Sequence, residues 1–332
     1  MHDPTVDTSL NENQKQVELS IVSTLYLSEG YVEEFCRRSA MLAEQVAECF
    51  EIILVNDGSP DSSLQRALEV QESMDAVTVV DLTRNFGHHS AILAGLSHAK
   101  GRYIFLIDID LEEEPEWLPI MFDRMKAERC DVVFGQQVAR KGKLFERLSG
   151  EVFYSFFNCL SSVKVPRNFV TARLMTRRYV DALLCYPEKE LFLGGLFVLA
   201  GFKQVPFAIT KGARPVSSYS IAKRLALLVN ALVSFSTRPL YIVFAVGTLV
   251  TFVACIAICV IIYRGLRGET LTGWASIMAS IWLFGGLAIF AIGLNGLYVG
   301  KVLIESKRRP SYLVRAVHRS VNRRSIDSIF KG

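Results

Sequence analysis

Two long apolar runs limit what this chain can fold into more than anything else in it. No charged residue falls between Leu240 and Tyr263, and none between Thr272 and Gly300. Each run exceeds the roughly 20 residues that carry a helix across a bilayer. A soluble core helix this long and apolar on every side is unusual, so two transmembrane helices are predicted, at about 240–263 and 273–299. The segment between them, Arg264 to Leu271, is short, so the pair reads as a hairpin with both flanks on one side of the membrane. Lys211, Arg214, Lys223, Arg224 and Arg238 precede it, and Lys301, Lys307, Arg308, Arg309, Arg315, Arg319, Arg323 and Arg324 follow. The loop offers Arg264 and Arg267 against Glu269. This asymmetry predicts a multi-pass protein whose N-terminal domain and basic tail (301–332) are cytoplasmic.

The chain has 332 residues, 51% of them hydrophobic, and a formal charge of +4. That length allows a full α/β domain before the membrane segment. Met1 to Gln16 is polar and lacks the apolar centre of a signal peptide; residues 1–17 are expected to be disordered. The seven cysteines show no Cys-x-x-Cys spacing. In a cytoplasmic setting they read as small apolar residues.

Strands and helices alternate from Leu19 onward. Strands are predicted at Leu19 to Leu25, Glu51 to Asn56, Val77 to Leu82, Tyr103 to Ile107 and Asp131 to Gly135. Helices are predicted from about Tyr31 to Ala47, through about Gln71, from His89 to His98, and from Pro115 to Ala127. This order implies right-handed crossovers and a parallel, doubly wound sheet.

Polar residues collect just after the strands: Tyr26 and Glu29, Asn56 and Asp57, Arg84 and Asn85, Asp108 and Asp110. In an open α/β sheet these positions share the rim where ligands bind. No Gly-x-Gly-x-x-Gly follows the first strand and there is no Gly-Lys-Ser/Thr loop, so dinucleotide and P-loop chemistry are unsupported. Asp108 and Asp110 read either as a solvated acidic turn or as ligands of a hard cation, magnesium or manganese, that bridges to phosphates. His88 and His89 open a helix, where an exposed or capping histidine is the commoner outcome.

Asn56-Asp57-Gly58-Ser59, Arg84-Asn85-Phe86-Gly87 and Asp108-Ile109-Asp110-Leu111, with Ala94-Gly95 between the last two, resemble the nucleotide-sugar domain of family 2 glycosyltransferases. Together with two C-terminal membrane helices, their order is similar to that in polyprenyl-phosphate glycosyltransferases related to dolichol-phosphate mannose synthase. The resemblance runs from about Leu19 to Pro239. It implies a GT-A fold over 18–218, with Asp57 on the nucleobase, Asp108 on the nucleotide and Asp110 on a metal at the diphosphate. Tyr26, Glu29 and Arg84 complete the implied nucleotide site. The implied partners are a nucleoside diphosphate sugar, a polyprenyl phosphate and membrane lipids of the bacterial plasma membrane. A homo-oligomer is admitted, and nucleic acid is not expected. Where the family reads Gly-Asp-Phe-Arg-Leu-Met, this chain has Val170-Thr171-Ala172-Arg173-Leu174-Met175, which keeps Arg173 and puts Thr171 in place of an Asp.

Between sheet and membrane, Lys143 to Leu160 reads as a helix that either lies in the headgroup layer or packs on the sheet. Residues 219–238 read as an interfacial amphipathic helix. Gly285, Gly286, Gly293, Gly296 and Gly300 would let the second membrane helix approach a neighbour closely. The implied reaction is inverting transfer of a hexose, UDP-linked by expectation, to a lipid phosphate. A lipid phosphate is already anionic and needs no general base. Arg173, Lys211 and Arg214 are candidates to hold it. Two other readings stay open: a catalytically weak membrane scaffold, and transfer to a saccharide hydroxyl with Glu112 or Glu113 as base.

Overall fold

The computed structural model describes residues 17–137, 169–186, 193–209, 238–267 and 273–319. Its centre is an eight-stranded sheet in the order β7-β5-β6-β4-β1-β2-β3-β8. The strands are β1 (Leu19–Leu25), β2 (Phe50–Asn56), β3 (Val77–Leu82), β4 (Tyr103–Leu106), β5 (Val132–Gln137), β6 (Phe169–Thr176), β7 (Gln204–Ile209) and β8 (Val314–Arg319). β3, β2, β1 and β4 run parallel, and each apolar stretch is buried on both faces, as helix-covered parallel strands require.

Two apolar layers flank the sheet. On one side α1 (Val32–Val46), α2 (Ser63–Ser73) and α4 (Trp117–Glu128) pack through Phe35, Ala67, Leu118 and Met121. On the other lie α3 (His88–His98), α5 (Arg177–Leu184) and α6 (Leu193–Leu199), packed through Ile92, Leu96, Tyr179 and Leu196. Each fully buried Phe, Leu or Ile contributes about 1.5–3 kcal/mol. α3 lies almost on the sheet: a Cβ at Gly95 would stand 2.4 Å from Val22 Cγ1. Among the described cysteines, Cys36 and Cys130 are buried and none forms a disulfide.

Two features depart from the sequence reading. β5 does not extend the parallel set, because β6 runs antiparallel between it and β4. β6 begins at Phe169, far beyond β5 in sequence, so local alternation could not reveal it. The second departure is in the basic tail, whose composition predicts no strand. Val314 to Arg319 forms β8, an edge strand antiparallel to β3. Its charged alternation, Val-Arg-Ala-Val-His-Arg, is that of a protected edge.

α7 (Arg238–Leu266) and α8 (Trp274–Ser306) occupy the two apolar runs and touch one another. Among the described residues one helical stretch, Leu283–Ser306, is long and apolar enough to cross a membrane, with mean hydropathy 1.9; Pro239–Val250 is a shorter apolar stretch. Phe244 and Phe252 on α7 and Ile289 and Ile292 on α8 are exposed large apolar side chains. The expected helix at Lys143 to Leu160, the expected interfacial helix 219–238 except Arg238, the N-terminal segment 1–16, and Lys211 and Arg214 lie outside the described residues.

Candidate active site

Three loops at the carboxyl ends of β1, β2 and β3 are tied into one surface. Leu27 N donates to Ser59 Oγ at 2.8 Å and Ser28 N to Ser63 Oγ at 2.9 Å. Glu29 N donates to Asp61 Oδ2 at 3.2 Å, and Ser62 N returns a bond to Glu29 Oε2 at 3.1 Å. The hub is Asp61, which the sequence reading passed over. Burial alone would raise its pKa, but hydrogen bonds from Ser59, Ser63 and the Glu29 amide outweigh that and hold it at about 2. A folded-state pKa below the ordinary 3.8 means the folded form takes up this proton later than the unfolded chain. Its stabilisation is complete above about pH 4 and is lost as pH falls through about 2. Asp61→Asn should therefore weaken the fold at pH 6 and close the gap to wild type at pH 2, as read by melting temperature against pH. A gap that persists unchanged at pH 2 would contradict this role.

Asp57 joins the β2 loop to the turn after β3. It is 3% exposed. Its carboxylate accepts from Phe86 N at 2.7 Å and Gly87 N at 3.0 Å. Burial raises its pKa against the pull of those two amides. Gly58 makes the junction possible. Its φ is +58°, and a Cβ there would lie 2.5 Å from Asn85 N. Arg84 lies exposed over the Phe86 ring, 4.0 Å from its centre, and donates to the Asn85 carbonyl at 2.9 Å. Tyr26 is 49% exposed on the same rim.

Asp108 and Asp110 follow β4. Asp110 Oδ1 accepts from Glu112 N at 3.1 Å. Leu111 then takes a left-handed φ of +60°, a strained turn of the kind that accumulates at functional sites. Asp108 Oδ1 is 3.6 Å from His88 Nε2, whose Nδ1 lies 3.1 Å from Thr24 Oγ1. Desolvation lowers the His88 pKa, opposed by the charges of Glu113, Asp57 and Asp110. His88 thus opens α3 as an exposed side chain, 46% accessible, in line with the sequence expectation, and also reaches the edge of Asp108.

Glu113 is fully buried and accepts from Thr171 N at 3.1 Å and, at the limit of a hydrogen bond, from Asp108 N at 3.5 Å. It joins the ends of β4 and β6 from inside, so it is not presented as a base to an acceptor. In the run Glu112-Glu113-Glu114 nothing in the pattern singles it out.

Arg173 lies inside the fold and not on its surface. It is 2% exposed, with its guanidinium 3.3 Å from the Phe197 ring centre and donating to the carbonyls of Thr171 and Val170. Burial lowers its pKa to about 10 against the pull of Tyr179 and Glu113, so it stays cationic at neutral pH. Held under Phe197, it braces β6.

No three His, Cys, Asp or Glu side chains gather into a ready-made metal cage among the described residues. Asp108 and Asp110 at a strand end still fit a hard divalent cation, because such ions commonly take one or two carboxylates and complete their shell with water and substrate phosphates.

The sheet, parallel from β3 through β4, thus presents acidic strand ends on one rim with helices on both faces. The sequence model of glycosyl transferase family 2 matches residues 20–184. A protein of Mycobacterium tuberculosis (strain CDC 1551 / Oshkosh) named among the glycosyltransferases is 40% identical over 309 residues, covering 92% of this chain and 89% of its own. The prophage-derived bactoprenol glucosyl transferase of Shigella flexneri is 30% identical over 310 residues, covering 91% and 99%. The crystal structure of glucosyl-3-phosphoglycerate synthase from Mycobacterium tuberculosis aligns at 17% identity with TM-score 0.47, covering 65% of this chain and 78% of that one. The chain belongs to glycosyl transferase family 2 and is a glycosyltransferase.

Proposed function

We propose that the protein transfers a hexose, glucose in the first instance, from a UDP-sugar to a polyprenyl phosphate at the cytoplasmic face of a bacterial plasma membrane. The observation that carries this reading is the pair Asp108 and Asp110 beyond β4, with the neighbouring Glu113 consumed by backbone amides. Among the described residues the site then has leaving-group machinery, and Glu113, one of the two candidate bases, is turned inward onto backbone amides. That suits an acceptor that is already anionic and disfavours a sugar hydroxyl. The names of relatives that align along nine-tenths of the chain supply the glucosyl group and the lipid class. The weak-scaffold alternative loses ground because Asp57, Asp108 and Asp110 all stand on the shared rim.

In this reading the rim formed by Tyr26, Asp57 and Arg84 receives the nucleotide, and Asp57 keeps its two loops in register. Asp108 and Asp110 would hold a magnesium or manganese ion, which would supply positive charge to the departing diphosphate. With the donor fixed, the lipid phosphate oxygen attacks the anomeric carbon opposite the leaving group, so an α-linked donor gives a β-linked product. Thr171→Ala is expected to keep turnover within about tenfold of wild type, short of the roughly 10²–10⁴-fold cost of losing a general base. A deeper loss would mean that Thr171 orients a reacting group.

The hairpin topology belongs to the same proposal. The chain leaves the sheet after β7, passes α7 and α8, and returns as β8 to pair with β3, which supports both flanks on one side. From Ser306 to Val314 the link reaches at most about 27 Å, so the sheet would sit close to the bilayer. A reporter fused after Gly332 should read cytoplasmic and one inserted near Thr270 external; the reverse pair would sink the topology. To test the function, membranes are incubated with labelled UDP-glucose, UDP-galactose, GDP-mannose and dTDP-glucose. Label should pass into the lipid extract with a UDP-sugar, and no transfer from any donor would overturn the reading.

A further inference from the structure

We propose that the strand returning from the membrane helices is a positioning element of the donor site, with Arg315 as its central residue. This rests on the donor-site reading above and goes beyond it, since nothing in the acidic motifs points to the tail.

Four contacts carry the inference. The Arg315 guanidinium forms an ion pair with Asp81 Oδ2 at 3.3 Å and donates to the Thr83 carbonyl at 2.7 Å. The Asp81 side chain is 4% exposed, and Asp81 Oδ1 accepts from Asn56 Nδ2 at 2.8 Å. Asn56 Oδ1 in turn accepts from Ser59 N at 3.2 Å. Asn56 immediately precedes Asp57, and Thr83 opens the turn whose Phe86 and Gly87 amides grip Asp57. One side chain on β8 therefore holds both loops that meet at Asp57.

The rest of the segment grips the same region. Thr83 N donates to the Leu313 carbonyl at 3.0 Å. The Tyr312 hydroxyl pairs with Ser97 Oγ on α3 at 2.9 Å. The β3–β8 register shifts between Asp81 and Leu82, beside the residue that Arg315 reaches. A tail serving only as a membrane anchor would need none of these bonds. Without Arg315, Asp81 keeps Asn56 but loses its cation, and the turn at Thr83 loses its outer brace. The nucleotide loops then sample more conformations, and the donor must order them on binding, which lowers affinity without touching the reacting groups.

The test compares wild type with Arg315→Gln, Arg315→Lys and Asp57→Asn in the full-length protein, measuring uridine diphosphate binding by calorimetry and steady-state kinetics with UDP-glucose. Arg315→Gln should raise the donor KM and the uridine diphosphate Kd about tenfold, with kcat and the lipid KM within about twofold of wild type. Arg315→Lys keeps the charge but cannot span Asp81 and Thr83 together, so it should recover part of the loss. If Arg315→Gln does not fold, the lysine variant alone should still show about a threefold rise in donor KM. An unchanged donor KM in either folded variant, or a fall confined to kcat, overturns the positioning role. Asp57→Asn separates this from failure of the site itself. If it loses uridine diphosphate binding while Arg315→Gln does not, the tail proposal fails and the donor site stands. If Asp57→Asn binds as wild type, the donor-site reading fails first, and the tail proposal with it.

Discussion

Asp110→Asn should lower turnover roughly a hundred- to a thousandfold while leaving the protein folded. Asp110 follows β4 and directly precedes the left-handed Leu111, so its position is set by the turn as much as by its own contacts. The amide keeps the size of the carboxylate and one oxygen able to accept from Glu112 N, at 3.1 Å in the wild type. What it loses is the negative charge that offsets a divalent cation. Removing one preorganised electrostatic partner of a leaving group costs about 3–4 kcal/mol in the barrier. Folding survives because two carboxylates so close in sequence repel when no cation lies between them. Lipid-linked product formed against metal concentration, with melting temperature beside it, checks this. Equal turnover in both proteins, or full wild-type activity in excess chelator, would remove Asp110 from the reaction.

Glu113→Ala should act on the fold instead. The side chain is fully buried, bonded to Thr171 N and weakly to Asp108 N, and its charge pulls on the buried guanidinium of Arg173. Deleting it strands two strand-end amides and leaves Arg173 without that counter-charge under Phe197. Leaving a buried backbone amide without its acceptor costs roughly 1–3 kcal/mol. Glu113→Gln keeps a carbonyl acceptor and should cost less. Thermal melting of the purified protein in detergent distinguishes these outcomes. A shift below about 2 °C for Glu113→Ala, under 1 kcal/mol for a chain this long, would show that the carboxylate is dispensable.

The contrast between these two acids shows what could be read from the chain beforehand. Asp108, Asp110 and Asp57 were legible because each follows a continuous apolar strand, and the periodicity places such residues on one rim. β1 and β3 were predicted with the bounds they have, for the same reason. Glu113 was not legible, since its burial depends on β6, which arrives from far along the chain to pair antiparallel with β4. The burial of Arg173 was not legible for the same reason. A lone cation suggests a surface until Phe197 on α6 is seen to cover it. Asp61 looked like one more polar loop residue, because its four hydrogen bonds come from two loops that only the fold brings together. β8 was hidden by composition: six residues in a basic tail carry no apolar run, and only pairing with β3 makes them a strand.

The acceptor is where the account is most exposed, and one measurement addresses it directly. Purified protein in liposomes is given UDP-[14C]glucose and magnesium, with either a polyprenyl phosphate or the corresponding polyprenol, whose terminus is a neutral hydroxyl. The account predicts label in a lipid product only with the phosphate, joined through a β-glycosidic phosphodiester visible by NMR. Transfer to the polyprenol at a comparable rate, or to a soluble saccharide with none to the lipid phosphate, would contradict it.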